Sequence, residues 1–545
     1  MEPLTRLADE YYDYKLGVSP IDLMWDGRLE HLAEWNDVTV DGRAAAHARL
    51  IAFAEAAEAI DTGNAQEARA LRDVIATSAR ASALQLAWEP ELLYLNPAMG
   101  VWELVMGFIG SFPLATAEHG EAYLAKLRGL PRLLEDVMDV AEAAAAEGRV
   151  ALKRHLDATA ASVETAASRA REGDDRLRSQ PAPTGMDDAA KAAWEASRDA
   201  VVADEVLPAV DRFAARLRLL AERGLPDETP GLVHLEGGAK VYRDRMWSHL
   251  LIDMTPDQVH QVGLAEVARL EDEYRAIAGP LLGTEDIEEI YTRLREDTSL
   301  RYTDSASIVA DAEAALAKAN AAAPAWFAHL PQSGCTAHAT DFGAMAYYSP
   351  PDPRTGKEGQ FYFKSSDPSQ WATYEMEAIA YHEAVPGHHL QLALHVENED
   401  LHPVQREFFN TAYAEGWGLY TERLADEMGL YSSDLSRVGM LSADSLRACR
   451  LVVDTGIHAL GWSRSQAIDF MVAHTPMDRH HIEQEVDRYI GMPGQALAYM
   501  IGRLEILAIR EEAQMRPDFD IREFHDAVLR YGAVPLPTLR SLVLD

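Results

Sequence analysis

The segment His382-Glu383-Ala384-Val385-Pro386-Gly387-His388-His389 places three imidazoles and a carboxylate within eight residues. Imidazole nitrogen and carboxylate oxygen are donors that zinc takes, and a glutamate beside such a site can act as general base. In the usual zinc helix two histidines stand at i and i+4, one turn apart, with the glutamate at i+1. Here the i+4 position from His382 is Pro386, which cannot bind a metal. The next histidines fall at i+6 and i+7. In a regular helix i+7 returns to nearly the same face about 10.5 Å further along, and i+6 points well away. Either can meet His382 only if the helix is deformed. Pro386 supplies a deformation, because it gives no bond to the carbonyl of residue 382 and clashes with it. Gly387 then permits backbone geometry that other residues resist. Spacing alone does not choose between His388 and His389.

A third ligand must come from elsewhere, and Glu415 in Ala412-Tyr413-Ala414-Glu415-Gly416-Trp417-Gly418-Leu419-Tyr420 is the best candidate. It is a carboxylate on an otherwise apolar face with Phe408, Ala412 and Leu419, in a helix expected to open at Pro403. Gly416 and Gly418 would let that helix approach the one bearing His382. Two histidines and a glutamate leave a fourth position for water, the arrangement of a catalytic zinc site. One zinc ion per chain would acidify that water and polarise a carbonyl, with Glu383 moving the proton. Such chemistry also needs a donor for the developing oxyanion. Tyr489 and Tyr499, which bracket Gly491-Met492-Pro493-Gly494-Gln495, are candidates, and His458 is a further catalytic candidate. Arg488 could bind a substrate carboxylate bidentately. Gln495, Tyr347 and Tyr348 are candidate substrate contacts.

These groups need a scaffold, and most of the chain has the apolar spacing of helices. Examples are Ala44 to Ala81, Gly120 to Glu147, Val150 to Arg171 and Met186 to Arg223. Thr255-Pro256 is a side-chain cap followed by proline at the first helical position, and Asp367-Pro368 repeats the pattern ahead of the motif. A helix is therefore expected from Asp367 through His382 and Glu383. Ser463 to Gln466 is a capping box. Gly343 to Pro350 and Gln360 to Lys364 are short and aromatic, with turn residues between them, and predict a β-hairpin. Such a strand pair could add an extended peptide to its edge. The loop Gly224 to Gly238 divides the chain into an N-terminal helical part, 1–237, and a site-bearing part, 238–545, expected to act as one catalytic unit.

Bulk properties narrow the classes. The chain has 545 residues, 48% hydrophobic and 25% charged, which suits a globular protein with a large core. A formal net charge of −38 argues against nucleic acid or an anionic membrane as partner. Cys335 and Cys449 form no metal spacing and no disulfide framework. The first residues lack the pattern of a secretory signal, and no apolar run approaches the roughly 18 residues of a spanning helix. The expectation is a cytoplasmic protein acting on a short peptide or small amide.

HEAVPGHHLQ followed by AYAEGWGLYTERLADEMG resembles the bacterial domain of unknown function 885 family. Gly238 to Arg269, Asp454 to Met471 and Arg488 to Gly502 resemble it too, so the likeness covers most of the chain and is strongest from about residue 238 onward. It implies a mainly α fold similar to thermostable carboxypeptidases and, more distantly, angiotensin-converting enzyme: two helical lobes around a deep cleft with zinc at its floor. In those enzymes the second histidine follows a glycine, which favours His388, and the glutamate ligand comes from a following helix, which matches Glu415. They keep the i, i+4 spacing, and this chain has two extra residues. The implied activity is that of a zinc metallopeptidase, carboxypeptidase- or dipeptidase-like. Metal-dependent amide or C–N cleavage of a small metabolite, and a non-catalytic helical metal- or ligand-binding protein, are the alternatives.

Overall fold

Alanine, leucine, glutamate and arginine are strong helix formers, and they shape the molecule. The computed structural model describes residues 2–18, 29–87, 95–97, 99–341, 344–352 and 355–545, and it is mainly helical with one small sheet. The window Ala44 to Ala81 divides into helices Val40–Glu58 and Gln66–Leu86, the first capped by Thr39. Helices Ala117–Ala146 and Lys153–Arg171 follow the next two windows closely. Met186 to Arg223 forms Asp188–Val201 and Leu207–Ala221, joined through a π turn at Val202–Val206. Pro208 has no N–H for the ladder, which accounts for the wider turn just before it.

Three apolar cores result. One lies wholly in the first half, around Tyr123, Trp194 and Phe213. The largest is built mostly from residues after 231 but also takes in Ala70, Val74 and Leu152. The third joins helices Glu2–Val18, Val40–Glu58 and Gln66–Leu86 to Val404. The first two or three helices therefore pack with the C-terminal half. Thr538 donates to Asp73 at 2.8 Å, and Arg69 pairs with Asp545 at 3.0 Å. A boundary at 237/238 thus separates only part of the N-terminal region from the rest.

Thr255 and Gln258 form a capping box at the start of helix Pro256–Leu282, which ends at Gly283 with φ +70°. This helix lies along the long buried helix Asp434–His458. Helix Thr411–Glu427 packs against Ala498–Gln514 at backbone distance: a methyl group on Gly502 would stand 1.9 Å from the Ala412 carbonyl oxygen and 2.8 Å from Gly416 Cα. The sheet has order β1-β3-β2, with β1 Cys335–Thr340 parallel and β2 Ala346–Ser349 antiparallel to β3 Gly359–Lys364. The expected hairpin is the β2–β3 pair; its residues 343 and 353–354 lie outside the described residues. Strand β1 was not expected, although Cys335, Ala337 and Ala339 alternate with Thr336, His338 and Thr340; its apolar residues are small. Phe361 and Phe363 of β3 are buried beneath the sheet.

Two expected helices are shorter in the structure. Asp367 caps only a 3₁₀ turn, Pro368–Gln370. The chain then runs extended beside Leu300–Tyr302, where Tyr302 N–H donates to Trp371 and Thr373 N–H to Leu300, so the motif helix begins at Met376. Pro403 opens a separate turn, Pro403–Arg406; Asn410 caps the Glu415 helix by accepting from Tyr413 N–H at 2.7 Å, which leaves Phe408 outside it. Among the described residues no helix is long and apolar enough to cross a membrane.

The Gly416–Gly502 contact makes a direct stability prediction. Gly502→Ala should lower the thermal denaturation midpoint by roughly 3 °C or more, because the new methyl overlaps a carbonyl that cannot yield without moving a helix. An unchanged midpoint in calorimetry would mean that the two helices are not held this close.

Candidate metal centre

Helix Met376–Glu383 stops at Ala384, the Val385–Pro386 peptide bond is cis, and a second helix, His388–Glu397, starts directly after Gly387. The motif is thus a break between two helices, not a bulge within one. Gly387 is needed here, since a Cβ would stand 1.8 Å from the His382 carbonyl oxygen and 2.5 Å from that of Tyr381. The buried Trp417 indole N–H donates to the carbonyl of Pro386 (3.1 Å) and shares that of Gly387 (3.3 Å) with Gln391 N–H, which fastens the break to the Glu415 helix.

The break turns His388 back toward His382. Their rings meet edge to face with centroids 4.7 Å apart. Nε2 of each lies 3.4 Å from the same oxygen, Glu415 Oε2. One ligand atom from each of the three side chains lies within 4.8 Å of the others. A separation of 3.4 Å is long for a charge-assisted hydrogen bond, and two nitrogens and an oxygen that converge without good mutual bonds are a donor set suited to zinc. Behind His382, Nδ1 bonds Glu422 Oε1 at 2.8 Å. Gly418 lies beneath the same ring, where a methyl group would come within 2.6 Å of Cε1. Burial pushes the His382 imidazole down, but Glu415 and Glu422 outweigh it and hold it up at about 9. A metal at Nε2 would replace that proton. Burial likewise opposes ionisation of Glu415, yet the two imidazoles hold it well below the usual carboxylate range. Glu383 is half-buried, and burial pushes its carboxyl up while His388, His382 and Arg447 act in the opposite sense.

His389 has a different role. Its Nε2 bonds the Ser333 carbonyl at 3.1 Å and its Nδ1 the Tyr348 hydroxyl at 2.9 Å. Burial pushes it down to about 4, so it is a neutral link between the second helix and the sheet. Tyr348 is thereby an anchor for His389, while Tyr347 stacks on Tyr362 at 4.9 Å on the other face of the sheet. These contacts of the two tyrosines, expected as substrate contacts, are with His389 and Tyr362 and not with His382, His388 or Glu415.

Other candidates are also committed elsewhere. His458 accepts from Leu232 N–H at Nδ1 (3.2 Å) and bonds the Tyr489 carbonyl at Nε2 (3.1 Å), and burial pushes it down to about 4; it joins main-chain segments. The Tyr489 hydroxyl donates to Glu485 at 2.5 Å and accepts from Arg450 at 2.9 Å, so it is not a free oxyanion donor. Arg488 spends Nε and Nη2 on Glu485 and Nη1 on Gln495 (2.7 Å), which removes both Arg488 and the Gln495 oxygen from the role of open substrate contacts. Tyr499 alone keeps a place beside the cluster. It is half-buried, and burial and then the Glu415 carboxylate push its phenol up.

Gly418 makes the close approach to His382 expected of it; two positioning groups were missed from sequence, Glu422 and the Trp417 clamp. Glu415 and Glu422 are seven apart on one helix and Gly418 lies between them, so helical spacing held the signal. Gly416, expected to approach the His382 helix, instead meets Gly502.

A family model described as "Bacterial protein of unknown function (DUF885)" matches residues 20–543. No curated protein matches. Among solved structures, the chain is similar to a candidate lipoprotein from Colwellia psychrerythraea, with TM-score 0.90 and 24% identity over 99% of this chain and 98% of the other. It is also similar to a candidate lipoprotein of unknown function from Shewanella oneidensis, with TM-score 0.78 and 20% identity over 99% and 100%. These likenesses concern the fold.

The two adjacent histidines should separate in a zinc titration against a competing chelator. His388→Ala is expected to weaken binding by about a hundredfold or more, and Glu422→Gln by roughly 10–100-fold. His389→Ala should stay within about tenfold of the parent. Equal losses for His388→Ala and His389→Ala would sink this assignment.

Proposed function

We propose that this chain, which belongs to the bacterial DUF885 family of unknown function, is a zinc-dependent hydrolase that cleaves amide bonds, with short peptides as its substrates. The observation that carries the proposal is the convergence of His382 Nε2, His388 Nε2 and Glu415 Oε2 beside a half-buried Glu383. One zinc ion held by these three side chains would supply Lewis-acid polarisation of the scissile carbonyl and acidify a water.

The protein's own groups account for the rest. Glu422 fixes the His382 ring from behind, as outer carboxylates do for metal-binding histidines. Glu383 follows His382 directly and lies in the field of all three candidate ligands. A carboxyl whose ionisation burial disfavours is a better proton acceptor than an ordinary surface glutamate, so it can take the proton of the attacking water and pass it to the leaving amine. Tyr499 is the remaining candidate to donate toward the developing oxyanion. The likeness to thermostable carboxypeptidases, with two helical lobes around a zinc cleft, is part of this proposal and not a separate support for it. A cytoplasmic location is likewise proposed, supported by the free Cys335 and Cys449.

Metal analysis of the purified chain should find about one zinc per molecule. Glu383→Gln should keep that zinc and lower kcat by about a thousandfold or more on any substrate of the parent. A panel of dipeptides and N-acyl amino acids decides the substrate class, since cleavage of the second set alone would move the activity to small acylated metabolites. Full activity in Glu383→Gln would remove this residue as the base.

A further inference from the structure

Helix Asp434–His458 presents Arg447 and Arg450, one turn apart, to the ring of Tyr499. The Arg450 guanidinium carbon lies 4.5 Å from the ring centre and that of Arg447 5.8 Å. Arg450 is 5% exposed. It gives Nε to the Tyr489 hydroxyl at 2.9 Å and Nη2 to Glu485 at 2.8 Å, and its buried Nη1 has no hydrogen-bond partner. Arg447 gives Nη1 to the Ala443 carbonyl at 3.2 Å, and its buried Nε is also without a partner. A buried guanidinium N–H with no acceptor is costly, and native structures rarely leave one so without a reason.

Arg450 and Arg488 share the carboxylate of Glu485. Glu422 is 3.9 Å from Arg447 Nη2 but already accepts from His382. Two arginines with unfilled donors therefore stand at the ring of Tyr499, whose phenol is in the field of Glu415. Arg447 acts on Glu383 in the same way. Arg447 is thus linked to His382 through Glu422, which stands 3.9 Å from its Nη2 and 2.8 Å from His382 Nδ1.

We propose that Arg450 and Arg447 bind a carboxylate of the substrate beside the metal cluster, so that the chain takes molecules with a free carboxylate close to the bond cleaved. Peptides attacked near their carboxyl end and N-acyl amino acids meet that description; internal bonds of long proteins do not. A guanidinium binds a carboxylate through parallel N–H donors, which a lysine cannot reproduce. The assignment deepens the hydrolase function proposed above and rests on it for the word substrate, though the anion site itself can be measured separately.

The test is calorimetric titration of the full chain carrying Glu383→Gln, in which peptides should not turn over, with Ala-Ala-Ala and with its carboxyl-terminal amide. The acid should bind at least about tenfold more tightly than the amide. Arg447→Gln, which breaks no short ion pair, should reduce that preference to within about threefold with an unchanged circular dichroism spectrum. Arg450→Lys should do the same while keeping a charge for Glu485. If Arg450→Lys fails to fold, Arg447→Gln decides alone. Equal affinity for acid and amide, binding of neither, or an acid preference that survives the substitutions overturns the proposal. An acid preference in a chain that binds no zinc would keep the anion site and reject the hydrolase.

Discussion

The Glu422 side chain is 1% exposed, and a carboxyl group withdrawn that far from water requires a hydrogen-bonding partner. It has one in His382 Nδ1 at 2.8 Å. That single bond sets the orientation of the ring, leaves Nε2 directed at Glu415, and makes the spacing of the two helices a fixed quantity. Gly418 follows from it, because no side chain fits beneath a ring held so close. So does the break at residues 384–387, which is the means by which His388 returns to the same oxygen of Glu415. Trp417 then ties the break to the Glu415 helix through the Pro386 and Gly387 carbonyls. Each of these residues would be unremarkable alone, and together they serve one buried imidazole–carboxylate pair.

Much of this was legible in the residues before any coordinates. Helical periodicity located most long helices, and the inability of Pro386 to serve as ligand required a distortion that the structure contains. The choice of His388 needed the resemblance, and the geometry gives its physical basis in the two filled nitrogens of His389. What remained hidden was of another kind. Asp367-Pro368 has good cap chemistry, but a competing backbone pairing with Leu300–Tyr302 leaves it only a 3₁₀ turn, and such long-range pairing has no local signal. Strand β1 had a faint local signal in the alternation of Cys335, Ala337 and Ala339, but its parallel pairing with β3 had none. Tyr489, Arg488 and His458 were plausible by residue type, yet each is filled by a partner that sequence spacing does not reveal.

The charge distribution joins the surface to the site. A chain with net charge −38 repels free anions at long range in dilute salt, though physiological salt screens that field within about 8 Å. Inside, Arg450 Nη1 and Arg447 Nε are buried without an acceptor. Such an arrangement favours anions that are tethered to something else, since contacts made by the rest of the molecule can offset the approach. It selects against small free acids by the same means.

The packing of helix Gln66–Leu86 against the far end of the chain has a consequence for synthesis. Thr538 and Asp73, which bond at 2.8 Å, are 465 residues apart. At a ribosomal rate of about 5–20 residues per second, the earlier helix must wait tens of seconds for its partner. The core around Tyr123 and Trp194 can close in that interval from residues already made, and the opening helices can pack on one another; the face of helix Gln66–Leu86 that carries Ala70 and Val74 into the large core stays uncovered on the nascent chain. The two N-terminal cores thus precede the large one, with a period in which chaperone capture competes with native docking.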